Sequence, residues 1–123
     1  MATRQEIVDF LDRFKVATEL GCFHVKNREK NTQALLDLGI SYNERKEIIL
    51  GLTPENYIAG PKPDDTDSQE VIWEFGADVE GTEVYIKLRV TKDRRKQHVY
   101  RALVWSFHPA ECPIRYPLRG GGK

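Results

Sequence analysis

Three polar side chains alternate with apolar ones in the segment VYIKLRV, residues 84–90. This strict alternation predicts a β-strand, in which successive side chains point to opposite faces of the sheet. Tyr85, Lys87 and Arg89 would then follow one another at about 7 Å on one face. A phenol, an ammonium and a guanidinium at that spacing can contact a phosphate and its ribose. The same pattern is also typical of the solvated face of an antiparallel strand.

Two further residues could transfer protons beside this strand. His108 follows the apolar segment LVWSF and precedes Pro109, so it stands where a predicted strand ends. An imidazole there can accept or donate a proton near neutral pH, or simply hydrogen-bond its neighbours. Glu74 lies in the segment VIWEF, where it is either an exposed strand residue or a proton acceptor.

Charge is segregated along a chain whose formal net charge is zero. Residues 60–83 contain one basic and eight acidic residues, whereas residues 84–123 contain ten basic and two acidic ones. The basic third favours contact with phosphates, and the acidic segment PKPDDTDSQE either shields it or is simply solvated. The zero net charge argues against nucleic-acid binding, because nucleic-acid-binding domains usually carry an excess of basic residues. The candidate phosphate-binding residues are Arg89, Lys62, Arg101, Arg94, Arg95 and Arg115.

The first half of the chain has helical periodicity. The segment TRQEIVDFLDRFKVATEL predicts an amphipathic helix. Asn31 or Thr32 can cap a second, short helix. Ser41 and Glu44 form the S-x-x-E capping box of a third, and TPENYI predicts one more short helical turn. The inward residues expected of the first helix are Ile7, Phe10, Leu11, Phe14, Ala17 and Leu20.

The second half predicts β-strands. VIWEFGADV, EVYIKLRV and HVYRALVWSF are rich in β-branched and aromatic residues and are separated by turn-forming segments. The preceding segment GPKPDDTDSQ predicts a loop, because prolines and turn formers interrupt every period. In the last strand, alternation places Leu103, Trp105 and Phe107 on one face and Ala102 and Val104 on the other. Trp73, Phe75, Trp105 and Phe107 are all interpreted as core residues.

Together these elements predict an α+β fold, with N-terminal helices packed on a C-terminal antiparallel sheet of three or more strands. We interpret residues 1–118 as a single domain. Its helical part would span about residues 3–58 and its sheet about residues 70–108. Residues 119–123, RGGGK, have the composition of a flexible tail.

Compartment and cofactors follow from what the chain lacks. No apolar run approaches the roughly 20 residues of a membrane span, and the first residues lack the apolar stretch of a signal peptide. We therefore expect a cytoplasmic protein without membrane contact. Cys22 and Cys112 lack zinc or disulfide spacing, and no cofactor motif is present, so we expect no cofactor. His24 and His98 could join His108 in a two-histidine site, although their spacing does not favour one.

The order of several segments resembles the MqsR family of toxins from bacterial type II toxin-antitoxin pairs. The resemblance lies in ALLDLGISYNERKEIILGLTPENY, IWEFG, GTEVYIKLRV and LVWSFHPAE, and it covers about residues 30–118. It implies the RelE-like fold of small ribonucleases and the activity of an mRNA interferase. Such a toxin cuts mRNA and is held silent by a cognate antitoxin, which is typically a DNA-binding protein.

The resemblance also implies roles for individual residues. The family's catalytic tyrosine falls on Tyr85, whereas the lysine beside its short helix falls on Ala59. Lys62 is the candidate replacement for that lysine. A glutamine and a second lysine of the family are Glu74 and His108 here. Since these positions change chemical type, the family's cleavage preference is not carried over to this chain.

The combined hypothesis is a metal-independent endoribonuclease in which a ribose 2′-OH attacks the adjacent phosphorus. His108 would act as general acid or base, with Tyr85 as its partner or as a donor to the phosphate. Lys87 and Arg89 would stabilise the developing charge, and Glu74 is a further candidate catalytic residue. Metal dependence is disfavoured because no Asp/Glu cluster accompanies the basic residues. The alternative is a non-catalytic module that binds RNA or a protein with the basic sheet face.

Overall fold

The computed structural model describes residues 1–65, 70–92 and 100–119. In this part of the chain, three α-helices and a 3₁₀ helix accompany a five-stranded sheet, which makes an α+β fold. The helices are α1 (Arg4–Glu19), α2 (Glu29–Leu38), α3 (Tyr42–Leu50) and the 3₁₀ helix Pro54–Asn56. The strands are β1 (Phe23–Val25), β2 (Tyr57–Pro63), β3 (Val71–Val79), β4 (Thr82–Lys92) and β5 (Tyr100–Pro109).

The sheet is mixed, with the strand order β1-β5-β4-β3-β2. Strands β3 to β5 pair antiparallel, as predicted, and β2 also pairs antiparallel with β3. In contrast, β1 pairs parallel with β5 through Phe23 and Ala102. The predicted all-antiparallel sheet is therefore wrong at this edge. The segment FHV has only three residues, so its sequence pattern could not show which strand it pairs with. Because β1 lies between α1 and α2 in the chain, the helices do not all precede the sheet as predicted.

Strand β2 is a second correction, because its last residues, Gly60–Pro63, lie in the segment predicted to be a loop. Pro61 and Pro63 are tolerated because β2 is an edge strand, where a missing backbone N–H need not break a ladder. Gly60 has φ 120°, and a Cβ there would lie 2.9 Å from the carbonyl oxygen of Ile72. A glycine therefore lets β2 approach β3 at this point.

The capping box of α3 is confirmed, since the Ser41 hydroxyl accepts from the backbone N–H of Glu44 at 3.1 Å. The cap predicted at Asn31 or Thr32 is wrong, because α2 begins at Glu29. The buried Asn31 amide instead donates to the Trp105 carbonyl at 3.1 Å and accepts from the Phe107 N–H at 2.9 Å. Strand β1 ends at Val25 and no longer pairs with β5 beyond that residue. There the Asn31 side chain hydrogen-bonds the β5 backbone instead.

The core lies between α1 and one face of the sheet. Ile7, Phe10, Phe14 and Ala17 of α1 are buried there as predicted. Phe10 stacks on Trp73 with ring centroids 4.7 Å apart, which joins the helix to β3. Leu20 is 71 % exposed and so is not a core residue, because α1 ends at Glu19 and Leu20 is its C-cap, beyond the helical face that packs on the sheet.

A bulge in β5 changes which of its residues reach the core. Lys87 pairs with Ser106, but the next residue, Leu88, pairs with Val104, so Trp105 is the extra residue. Phe107 consequently shares the core face with Val104, and Trp105 lies on the opposite face. The predicted grouping of Trp105 with Phe107 is wrong, since one inserted residue inverts the alternation beyond it.

None of the helices in the described part of the chain combines the length and apolarity needed to span a bilayer.

Candidate active site

Strand register brings the four predicted catalytic residues onto one face of the sheet. Tyr85 of β4 pairs directly with His108 of β5, and Lys87 of β4 pairs directly with Glu74 of β3. Directly paired residues point to the same side, and here that side is opposite α1. We call it the outer face. The ring centroids of Tyr85 and His108 are 5.5 Å apart.

Glu74 connects the phenol of Tyr85 to a lysine from the edge strand. The Tyr85 hydroxyl donates to Glu74 Oε2, and Lys62 Nζ lies 2.8 Å from Glu74 Oε1. Burial alone would raise the pKa of Glu74, but the hydrogen bonds from Lys62 and Tyr85 outweigh burial and lower it. Glu74 is therefore an ionised acceptor at neutral pH, with both oxygens engaged.

The environment of Tyr85 keeps its phenol protonated. Burial raises the pKa of Tyr85 well above its ordinary value, and the hydrogen bond and negative charge of Glu74 raise it further. A phenol in this state can donate a proton or a hydrogen bond, but it cannot serve as a general base near neutral pH.

The tautomer of His108 follows from one contact. His108 Nδ1 lies 2.9 Å from the backbone carbonyl oxygen of Pro109. A carbonyl oxygen can only accept, so Nδ1 carries the hydrogen. Nε2 is then the ring atom that can take up or release a proton.

An open cleft of about 310 Å³ lies beside these two rings. Tyr85 and His108 line it together with Ile58 and the chain from Ala110 to Arg115. The C-terminal segment that closes one side is held by Glu83. The carboxylate of Glu83 accepts from the Ile114 N–H at 3.0 Å and from the Tyr116 hydroxyl at 3.2 Å.

Gly76 permits this segment to approach the sheet. It pairs with Tyr85 in the register, so its missing side chain would point to the outer face. A Cβ at Gly76 would lie 2.5 Å from Tyr116 Oη and 2.9 Å from Ile114 Cδ1. This wall was not predicted, since a glycine within a strand carries no signal of which distant segment covers it.

Arg89, predicted to bind phosphate, is occupied by the acidic segment. It lies 2.7 Å from Asp64 and 3.8 Å from Glu70. At Arg89 the acidic residues therefore shield the basic side chain, rather than being simply solvated. Lys87 differs, because no carboxylate of the described residues forms a salt bridge with it.

The other predicted phosphate-binding residues divide by position. Lys62 reaches the candidate site through Glu74, and Arg115 lines the cleft. Arg101 pairs with Thr91, six residues along β4 from Tyr85 and thus about 20 Å away, so the structure does not bring it to the site. Arg94 and Arg95, like His98, lie outside the described residues.

Two residues near the site were not predicted. Arg28 donates to Ser106 Oγ at 3.0 Å and to the Trp105 carbonyl at 3.2 Å, and its charge acts to lower the pKa of Tyr85. Ser106 is the register partner of Lys87, so Arg28 adds positive charge beside it. Trp105, interpreted as core, lies on the outer face instead. Neither position could be found from periodicity, since Arg28 sits in a polar turn and Trp105 in a bulge.

His24 does not join His108. It pairs with Leu103, five residues before His108 on β5, which places the two about 17 Å apart along the strand. In residues 1–65, 70–92 and 100–119, no group of three or more His, Cys, Asp or Glu side chains is arranged to hold a metal ion.

Comparison of the chain with protein-family models, with curated proteins and with solved structures gives no match.

Proposed function

We propose that this chain is a metal-independent endoribonuclease of the mRNA interferase type, and that RNA is cleaved in the cleft beside Tyr85 and His108. One observation carries the proposal. Two groups suited to opposite proton transfers, a titratable imidazole and a phenol kept protonated, stand 5.5 Å apart at the wall of one open cleft. Lys87 adds positive charge on the same face.

His108 acts as the general base. Its Nδ1–H is held by the Pro109 carbonyl, so the Nε2 lone pair accepts the proton of the ribose 2′-OH. The 2′-oxygen then forms a bond to phosphorus, and Lys87 stabilises the additional negative charge on the phosphorane.

Tyr85 acts as the general acid. The bond from phosphorus to the 5′-oxygen breaks, and the departing oxygen takes the phenolic proton. Because an alkoxide is a far stronger base than a phenolate, this transfer is favourable even for a phenol with a raised pKa. The products are a 2′,3′-cyclic phosphate and a free 5′-OH, and solvent restores both protonation states.

Glu74 and Lys62 position the phenol. Glu74 holds the Tyr85 hydroxyl and is itself held by Lys62, so the acid is oriented before substrate binds. In the resemblance to MqsR toxins, Lys62 replaces the lysine expected at Ala59. The contact supports this replacement, since Ala59 pairs with Glu74 in the strand register and Lys62 reaches the same carboxylate.

The resemblance further suggests the biological setting, a RelE-like toxin in the bacterial cytoplasm that acts on mRNA. A cognate antitoxin, a DNA-binding protein encoded beside the toxin, would neutralise it.

A second candidate function is binding without turnover, through the basic outer face. It is favoured by one observation, namely that the Tyr85 hydroxyl already has an internal partner in Glu74. In that case charge changes at Lys87 would abolish binding of RNA or an acidic protein, whereas His108 would hardly matter.

Cleavage of end-labelled RNA by the purified chain in the presence of EDTA tests the proposal. We expect His108→Ala and Tyr85→Phe each to lower the cleavage rate by about 10²–10⁴-fold, the usual contribution of a general acid or base. Tyr100→Phe is the matched control, because Tyr100 is an exposed tyrosine at the far end of β5. Undiminished cleavage by both site variants would remove this site.

Expression in bacteria supplies the test of the toxin role. Growth should stop when the unaltered chain is produced, resume when an adjacent small gene is co-expressed, and continue throughout with His108→Ala. Arrest by the His108→Ala chain as well would contradict a nuclease toxin and favour the binding module.

A further inference from the structure

A second cleft, of about 440 Å³, lies at the β1 edge of the sheet. It is formed by β1 and the residues that follow it, the first turn of α2 and the first half of α3. The side chains that line it are Phe23, His24, Val25, Lys26, Asn27, Asn31, Thr32, Tyr42, Asn43, Arg45 and Lys46.

The lining of this β1-edge cleft is cationic and contains no acidic residue. Lys26, Arg45 and Lys46 contribute three positive charges, and no carboxylate of the described residues forms a salt bridge with any of them. The whole chain has as many acidic as basic residues, 19 of each. A lining of this kind attracts an anion.

Arg45 is the most unusual of the three, because it is only 4 % exposed. Its Nη1 donates to the Asn31 carbonyl at 3.3 Å, but its Nε has no hydrogen-bond partner among the described residues. Burial lowers the pKa of Arg45, with only Tyr42 acting in the opposite direction. A buried cation without a counter-charge is costly, and an anion in the cleft would offset that cost.

The chain from His24 to Arg28 joins this cleft to the candidate active site. Lys26 Nζ lies 4.8 Å from the centre of the Trp105 ring on the outer face. Two residues later, Arg28 donates to Ser106, the register partner of Lys87. Cationic groups and one aromatic ring therefore follow each other from one cleft to the other.

We propose that the β1-edge cleft is a second phosphate-binding subsite for the RNA strand that is cleaved beside Tyr85 and His108. The inference rests on the proposed function, since it extends the same substrate across Trp105 toward Lys26 and Lys46. Proteins that hold single strands combine cationic grooves with aromatic rings on which bases stack. That combination, continuous with the candidate active site, favours RNA over an acidic peptide.

Binding of a fluorescent 12-nucleotide 2′-O-methyl RNA tests the subsite, because an RNA without free 2′-OH groups cannot be cleaved by this chemistry. A three-nucleotide version reports on the Tyr85–His108 cleft alone. The test variant is Lys26→Gln with Lys46→Gln, which leaves the buried Arg45 intact. The matched control is Arg13→Gln with Lys15→Gln, which removes the same charge from exposed positions of α1.

The Lys26/Lys46 variant should bind the 12-mer about 10-fold more weakly and the 3-mer as before. Its plot of log Kd against log salt should lose about 1.4 in slope, since each single-strand phosphate contact contributes about 0.7. The Arg13/Lys15 variant should match the unaltered chain for both RNAs. Circular dichroism spectra verify that both variants are folded.

Two results would overturn the subsite: unchanged 12-mer affinity, or an equal loss of affinity for both RNA lengths. If the 12-mer affinity is unchanged while a poly-glutamate peptide offered as competitor binds the variant more weakly, the cleft is a docking site for an acidic protein. If the proposed nuclease activity is wrong but the subsite is right, the result is distinguishable: 12-mer binding still depends on Lys26 and Lys46, although no RNA is cut.

Discussion

The two ends of the outer face of β4 carry similar residues in different surroundings. At one end, Tyr85 lines an open cleft, and Lys87 follows it on the same face without a salt bridge to any described carboxylate. At the other, Arg89 lies against Asp64, whose side chain is 3 % exposed, and near Glu70. A row of polar side chains on a strand thus acquires its role from the segments packed over it.

The largest effect is expected at the Arg89 end. Replacing Arg89 with Ala removes the guanidinium from a buried carboxylate, and breaking a buried ion pair costs about 3 kcal/mol or more of unfolding free energy. Urea denaturation measures the loss, and Asp64→Asn in the same chain should restore part of it. A change below 0.5 kcal/mol would show that the pair contributes no more than an exposed one.

At the open end, Lys87→Met should affect cleavage rather than stability. Losing one group that stabilises transition-state charge lowers the rate constant by about 100-fold. Single-turnover cleavage measures this effect, and denaturation of the same sample should show a change near zero. Normal cleavage with a large loss of stability would reverse the contrast drawn between Lys87 and Arg89.

The wall of the open end depends on Gly76. In Gly76→Ala the new Cβ would meet Tyr116 and Ile114, so either the C-terminal segment moves or its packing on the outer face is strained by about 1–3 kcal/mol. Gly51→Ala is the matched control, because the nearest atom to a Cβ there is 3.4 Å away. Thermal denaturation and the cleavage rate are the measurements, and equal behaviour of the two variants would contradict the close approach at Gly76.

The smallest effect concerns the proton on Tyr85. Glu74→Gln removes the negative charge and the strong acceptor that favour the protonated phenol, so the pKa of Tyr85 should fall while burial still holds it above the ordinary value. The difference in tyrosinate absorbance between chains with and without Tyr85→Phe isolates this titration. An unchanged or higher pKa in Glu74→Gln would mean that burial alone controls the phenol.

Much of the local structure could be predicted from residue types. The capping box at Ser41 and Glu44 needs only contacts within one turn, and the apolar face of α1 needs only its periodicity. The convergence of Tyr85 with His108 followed from two strand patterns and antiparallel pairing. In contrast, the parallel partner of β1, the proline-containing strand β2 and the second role of Asn31 depend on segments far away in the chain.

The sequence by itself determined the α+β class, the polar row on β4 and the position of a histidine at the end of β5, because these follow from local periodicity. Tertiary structure alone decided which members of that row are available. One inserted residue in β5 moved Trp105 to the outer face, and the folding back of residues 110–116 built the cleft wall. Asp64 closed over Arg89 in the same way. Such contacts join residues 20 or more positions apart, and no local pattern encodes them.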